Sequence, residues 1–393
     1  MRDSGLYLHV PFCEHKCGYC DFNSWAETRK EFQIEWQKAM LRQIEYWSSV
    51  GEAKKFSTLF LGGGTPSLLH SDVLMPVLEK VQSKSWLSQD AEITVEANPE
   101  TITKQKLSDL AAMGVNRLSV GIQTFDDKGL ARLERKANSD TNKQALNLIA
   151  ENWPGTWSLD LIFGTPEQNL SMWLSDLDIG LGYNPTHVSA YQLTLTTSRS
   201  QSWSQPPEDR LLEFFLLTEE RLLEEGLLRY ETSNFAQPGF ESKHNLHYWR
   251  MNPFLGLGPG AYGIVDKSWT DFDRATQSGF HQRVAPRWET WLESSGDPTK
   301  EKSWLSSRTQ EDHLKELLLM NLRLVEGMPL EKWGANKHLF ENAATSLIAK
   351  GLLETFQDKT RGKVYRATTR GSQILDTVVE LSYGLIDFDE LVF

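Results

Sequence analysis

Cysteine is nearly absent from this chain of 393 residues: there are three, all between positions 13 and 20. That scarcity excludes a disulfide scaffold and suits a reducing compartment. A basic surplus is missing too. Lys and Arg number 41 against 53 Asp and Glu, a formal charge of −12, whereas phosphate binding rests on clustered Lys and Arg, so nucleic acid is not an expected partner. No apolar run approaches a membrane span, and Met1 to Gly5 lead into the first strand-like stretch without an apolar leader. The expected location is therefore the cytoplasm, with any membrane contact peripheral. Low-complexity tracts are absent, as are internal repeats beyond a strand and helix alternation. What is present is aromatic mass: 14 Trp, 18 Phe and 10 Tyr supply core enough for one large domain and a smaller one.

The cysteines, Cys13, Cys17 and Cys20, follow a short apolar run that holds Tyr7, His9, Pro11 and Phe12. Their spacing brings three thiolates into one tight loop that can hold one metal centre. A closed structural zinc site takes four protein ligands, while a four-iron cluster on three thiolates leaves one iron open to a small molecule. His9 or His15 could complete a zinc site. Cys17 and Cys20 also form a redox-type pair, which leaves Cys13 unexplained.

The motif Cys-x-x-x-Cys-x-x-Cys behind Tyr-x-His-x-Pro-Phe resembles the radical S-adenosylmethionine (SAM) superfamily and, within it, the coproporphyrinogen-oxidase-like group. The resemblance implies a [4Fe-4S] cluster on Cys13, Cys17 and Cys20, SAM as a second cofactor, an electron donor for the cluster, and a partial barrel. Oxygen-independent coproporphyrinogen oxidases carry a further Cys two residues after the third, and a longer N-terminal extension. Here Phe22 stands at that place and six residues precede Tyr7, so the haem-chaperone branch is the closer resemblance. It implies binding of haem together with the cluster and SAM, and transfer of haem to an acceptor protein. The alternative is an oxidase-like radical enzyme that cleaves SAM and acts on a porphyrinogen.

Short apolar runs and helical stretches alternate over the first half of the chain. They predict strands over 5–10, 57–61, 91–95, 117–121, 157–162 and 187–193, and helices over 28–48, 71–83, 103–113, 126–133, 141–151 and 170–181. Six such units make an α/β fold, a partial (β/α)6 barrel over 1–200, with chemistry expected at the C-terminal ends of the strands. Those ends deliver Gly62, Gly63, Gly64 and Thr65 after the second strand, Glu96 on the third, Gln123 on the fourth and Asp160 on the fifth. Glycines let backbone groups approach a ligand, and carboxylates and amides hydrogen-bond ribose hydroxyls and ammonium groups. The resemblance assigns Gly63, Gly64 and Thr65 to the SAM amino group, Glu96, Gln123 and Asp160 to further SAM contacts, and Arg135 to the SAM carboxylate. Tyr7, Tyr19, Tyr191 and Tyr262 complete the expected cofactor-binding set. The chain departs from the family at Glu134, which replaces a Gly, at Ala137, which replaces a His, at Glu167, which replaces a Gly, and at Thr196, which replaces a Glu.

A polar stretch over 199–207 precedes an amphipathic helix near 208–226, within a barrel-closing and connector segment over 201–300. There, His244, Asn245, Tyr248 and Trp249 match a His-Asn-x-x-Tyr-Trp motif that marks the haem-chaperone branch; imidazole ligates haem iron and aromatic faces suit a porphyrin. His244 is the expected haem contact and His247 the weaker candidate. The turn over 256–262 is expected to return the chain to the barrel mouth, and 265–300 reads as a connector with exposed charge. Residues 301–393 follow the order helix, helix, hairpin, helix, a smaller helical, winged-helix-like C-terminal domain. Acidic residues outnumber basic ones there, so it is expected to cover the barrel or meet a protein rather than DNA.

Overall fold

The computed structural model describes residues 4–195, 203–270 and 279–392. Thr196, one of the departures from the family pattern, lies outside them. Six strands build the core of the molecule: β1 (Gly5–Val10), β2 (Phe56–Gly63), β3 (Leu87–Ala97), β4 (Arg117–Gln123), β5 (Thr156–Phe163) and β6 (His187–Gln192). They lie in sequence order, each parallel to the next, as an alternation of strand and crossover helix requires.

The strands alternate in two registers. Leu6, Leu8 and Val10 of β1, Leu59 and Leu61 of β2, and Leu118 and Val120 of β4 are fully buried against the surrounding helices. Helix Ser71–Ser83 meets them with Val73, Leu74, Val77, Leu78 and Val81, a stripe at helical spacing. The opposite register of the same strands is polar: Tyr7, Glu96, Arg117, Ser119, Ser158, Asp160 and Ser189 all line one cavity inside the curved sheet or bond to a group that does. The period of two thus writes an apolar exterior and a polar interior into each strand.

Past β6 the sheet continues on both sides. Asn234–Ala236 pairs antiparallel with β6, and Phe254–Leu257 runs parallel beside β1, followed by antiparallel Tyr262–Val265 and Phe280–Arg283. Over their described part, 265–270 and 279–300, residues 265–300 are therefore not the exposed connector that their charge suggests. They supply a strand and two helices, and Trp288 and Trp291 carry them into the main core, where Trp291 donates to Gln43 Oε1 at 2.9 Å. Tryptophan spacing fitted this packing, but charged residues between the rings masked it.

The C-terminal region has its own core, with Leu314, Leu318, Trp333, Phe340, Leu347 and Val378 among its members. Helices Gln310–Asn321, Lys337–Ala349 and Leu375–Leu385 surround the hairpin of Leu353–Asp358 and Gly362–Ala367. It is fastened under the barrel: Arg250 grips Glu326 through two bonds at 2.8 and 2.9 Å, Asn321 donates to the Trp249 carbonyl, and Lys332 donates to the Arg250 carbonyl. No described helix is long and apolar enough to cross a membrane.

Candidate functional site

A cavity of about 620 Å³ runs down the inside of the barrel. Cys13, Cys17 and Cys20 line its mouth, with Tyr19 and Phe22 beside them, and His244, Asn245 and Tyr248 line it at the other end. A volume of this order is that of a small-molecule binding pocket.

The cysteine loop is held from below. Phe12–Cys13 pairs with Trp25–Ala26, and the rings of Phe12, Trp25 and Trp288 meet edge to face beneath it. Lys16 closes the loop by donating to the Phe22 and Ser24 carbonyls, both at 2.9 Å. Asn23 ties it to the end of the Phe254–Leu257 strand through the Pro259 carbonyl, so the 256–262 turn does come back to the mouth. All three thiols are free. Burial pushes the Cys13 and Cys20 thiols up, and the neighbouring cysteines add to it; loading with iron would release those protons. Among the described residues no three His, Cys, Asp or Glu side chains close on a single-ion site. A polynuclear cluster spreads its thiolates over separate irons. His9 is no fourth ligand: its Nε2 donates to the Asn23 carbonyl at 2.8 Å and its Nδ1 accepts from Tyr7 Oη at 2.9 Å. His15 stands on the surface, 3.9 Å from Glu134.

The glycine turn serves packing as well as access. A Cβ on Gly63, at φ +113°, would lie 2.4 Å from the His9 ring, and one on Gly64 would lie 2.5 Å from the Phe12 carbonyl oxygen. The Gly63 N–H donates to Glu96 Oε2 at 2.9 Å. Burial, opposed by that bond and helped by Asp160, raises the Glu96 carboxyl to about 7. Asp160 is also pushed up by burial, although Ser119 at 2.5 Å, Ser158 at 2.7 Å and Ser189 all donate to it. Gln123 has φ +71° at a register shift between β4 and β5. Strain of that kind in a non-glycine residue marks a position fixed by its surroundings.

Arg135 lies across the mouth. Its guanidinium reaches Cys17 Sγ at 3.7 Å, Asn98 Oδ1 at 3.0 Å and the Gly121 carbonyl at 2.7 Å, while its Nε is buried without a partner. Asn98 in turn donates to Thr65 Oγ1 at 3.1 Å. The two Gly-to-Glu departures keep the glycine backbone: Glu134 has φ +56° and Glu167 φ +64°, conformations that glycine adopts without cost. Glu167 pairs with Arg132 at 2.8 Å, and Ala137 is buried.

The structure thus gathers Tyr7, Tyr19, Gly63, Gly64, Thr65, Glu96, Gln123, Arg135, Asp160 and Tyr191 around one cavity with the three cysteines. Tyr262 is not among them. Its strand is an outer one, and its ring packs 6.0 Å from His281 and 6.1 Å from Phe254, on the side that Glu316 and Arg308 face. Antiparallel pairing beyond β1 turns it away from the barrel interior. Sequence reasoning passed over Asn98, Arg117, Ser119, Ser158 and Ser189. Their signal was the period of two: Arg117, Ser119, Gly121 and Gln123 occupy alternate positions of one strand.

His244 is at the floor, not on an open surface. Helix Lys243–Trp249 is tucked under the barrel, its first N–H groups donating to the Glu92 carboxylate at 3.0 Å. His244 Nδ1 bonds Thr58 Oγ1 and its Nε2 bonds Tyr248 Oη, both at 2.7 Å, and its ring stacks on Phe60 at 5.0 Å. Burial holds its pKa well below the ordinary histidine range, so the ring is neutral. His247 bonds Ser57 Oγ at 2.8 Å and Asn252 at 3.0 Å and does not line the cavity.

Residues 7–178 match the model of the radical SAM superfamily. The chain is 33% identical over 387 residues to the heme chaperone HemW of Escherichia coli (strain K12), covering 96% of this chain and 97% of that one. It is 34% identical over 341 residues to the heme chaperone HemW of Synechocystis, covering 84% and 80%. Among solved structures, the coproporphyrinogen III oxidase HemN of Escherichia coli superposes with a TM-score of 0.79 at 19% identity, covering 97% of this chain and 90% of that one; that likeness concerns the fold.

Proposed function

This chain belongs to the radical SAM superfamily and, within it, to the family of the heme chaperone HemW, and from that premise we propose that it binds haem and passes it to an acceptor protein. The carrying observation is the extent of the likeness: 33% identity runs over 96% of the chain, so it takes in the cysteine loop, the floor helix and the C-terminal region together. The oxidase-like alternative has no comparable support, because the similarity to the oxidase structure is one of fold.

The cysteine loop fits a cluster. Three free thiols face one cavity, and Cys17 already accepts from a half-buried Arg135 whose charge suits anionic sulfur. When bound, a [4Fe-4S] cluster supplies a redox-active iron with one open position, which an electron donor could reduce. For SAM, Gly63, Gly64, Thr65 and Glu96 would meet its amino end, and Arg135 its carboxylate; the unpartnered Nε of Arg135 would be the donor for that contact. Gln123, Asp160 and Tyr191, farther round the wall, would meet the nucleoside.

Haem is the cargo. His244 remains the proposed haem contact, with a condition that its geometry sets. A neutral imidazole ligates iron without first losing a proton, yet both ring nitrogens are occupied, so iron can be reached only if the Tyr248 or Thr58 hydroxyl lets go. The experiment is a titration of anaerobically reconstituted protein with haem, followed at the Soret band. We expect about one haem per chain and a shifted band in H244A; an identical spectrum and affinity in H244A would remove His244 from the site.

A further inference from the structure

Arg117 lies near the start of β4 and is 4% exposed. Its side chain lines the barrel cavity together with Ser119, Asp160, Ser189, His244 and Asn245. Among the described residues it forms no hydrogen bond or ion pair through its guanidinium. The acids around it take their hydrogen bonds from other groups: Asp160, which feels the Arg117 charge, from serine hydroxyls, Glu92 from the first N–H groups of the floor helix, and Glu96 from the Gly63 N–H. The guanidinium therefore opens onto the cavity with its hydrogen-bonding capacity unused, and five donors in a flat fork are suited to a carboxylate. One further group here is unsatisfied, and a second polar group lines the cavity. The Thr94 hydroxyl, on the residue paired with Arg117 across β3 and β4, is buried with no partner, and the Asn245 side-chain amide lines the same cavity.

We propose that Arg117, with Asn245, forms a carboxylate-binding subsite at the floor of the barrel for a second ligand that lies beyond SAM. Arg135, on the far side of Gln123 at the mouth, leaves Arg117 free for this purpose. The carboxylate could be a haem propionate, which rests on the haem reading above, or that of a small organic acid, which does not. In the first case one end of the cargo is fixed by charge while His244 is near its iron.

The test compares wild type with R117Q, each reconstituted with cluster and given SAM. Both are titrated with haem and with haem dimethyl ester, and sodium succinate is added in a thermal-shift arm. If the carboxylate is a propionate, wild type prefers haem over the ester by about tenfold or more, and R117Q loses that preference. If it is a small acid, haem and ester bind alike, while succinate raises the melting temperature of wild type and not of R117Q. Absence of haem binding by wild type would remove the chaperone reading and leave the succinate arm to decide the subsite. The subsite is overturned if R117Q matches wild type in both arms, or if R117Q loses SAM binding, which would assign Arg117 to SAM instead. R117K keeps the charge without the fork; it should fall between the two, and it replaces R117Q should that variant not fold.

Discussion

The mouth and the floor of the barrel are built from the same strands and the same inward register, yet they are finished differently. At the mouth, polar groups are held in place but left with capacity: three free thiols, an arginine with an unpartnered Nε, and a carboxyl near neutrality beside a backbone N–H. At the floor, the histidines are saturated. His187 is bracketed by Ser158 and Tyr230, and His244 by Thr58 and Tyr248. The Ser158 hydroxyl donates to Asp160, so it accepts from His187 Nδ1, and His187 Nε2 then accepts from Tyr230 Oη. A satisfied buried network fixes shape, whereas unsatisfied groups await a partner. Arg117 breaks this division, as an open group among closed ones.

The largest effect expected at the mouth comes from backbone, not from a ligand contact. Gly63→Ala must displace the His9 ring and force a side chain into a left-handed conformation, which should cost roughly 2–5 kcal/mol. Urea denaturation of the apoprotein measures it; a loss below about 0.5 kcal/mol would mean that the turn is shaped for ligand access alone.

A smaller effect is expected at the floor. Tyr248→Phe frees His244 Nε2 while leaving its ring stacked on Phe60, for a stability cost of about 1 kcal/mol. If His244 is the iron contact, haem affinity should rise in Y248F, and the Soret band should move opposite to its change in H244A. An unchanged titration would separate His244 from haem.

The third effect depends on pH and concerns Glu96. Its carboxyl titrates at about 7 in the fold against 4.5 when unperturbed, so the folded state holds the proton more tightly. The resulting stability is present in full below 4.5 and is lost as pH rises through about 7. Relative to E96Q, wild type should therefore weaken between about pH 5 and about pH 8, while its affinity for the SAM ammonium should increase over the same interval. Parallel denaturation curves for the two proteins across that range would remove the burial argument.

Much of this was legible in the sequence. The six strands and their helices followed from alternating runs, because a parallel barrel repeats one local pattern, and the cysteine loop followed from the spacing of three residues. Strand β3 begins earlier than expected because the polar stretch Leu87 to Asp90 is held by the pairing of Leu87 with Phe56 and by Ser88 Oγ donating to the Phe56 carbonyl at 2.9 Å, which local hydropathy does not register. Long-range closure was not legible. Nothing near His244 indicates that its helix lies beneath the barrel, since that placement rests on Glu92, Thr58 and the C-terminal region. Tyr262 misled for the same reason: strand pairing, not its motif, decides which way it faces. Glu134 and Glu167 show the converse, in that a changed residue preserved the backbone its glycine relatives need.

The central claim is that three cysteine sulfurs grip an iron cluster with one open iron at the barrel mouth. Its most direct test is iron and sulfide analysis of oxygen-free reconstituted protein, with electron paramagnetic resonance of the reduced form before and after SAM is added. The expected result is about four irons and four sulfides per chain, a signal that SAM shifts, and loss of both in C17A. Zinc in place of iron, or a cluster signal indifferent to SAM, would contradict it.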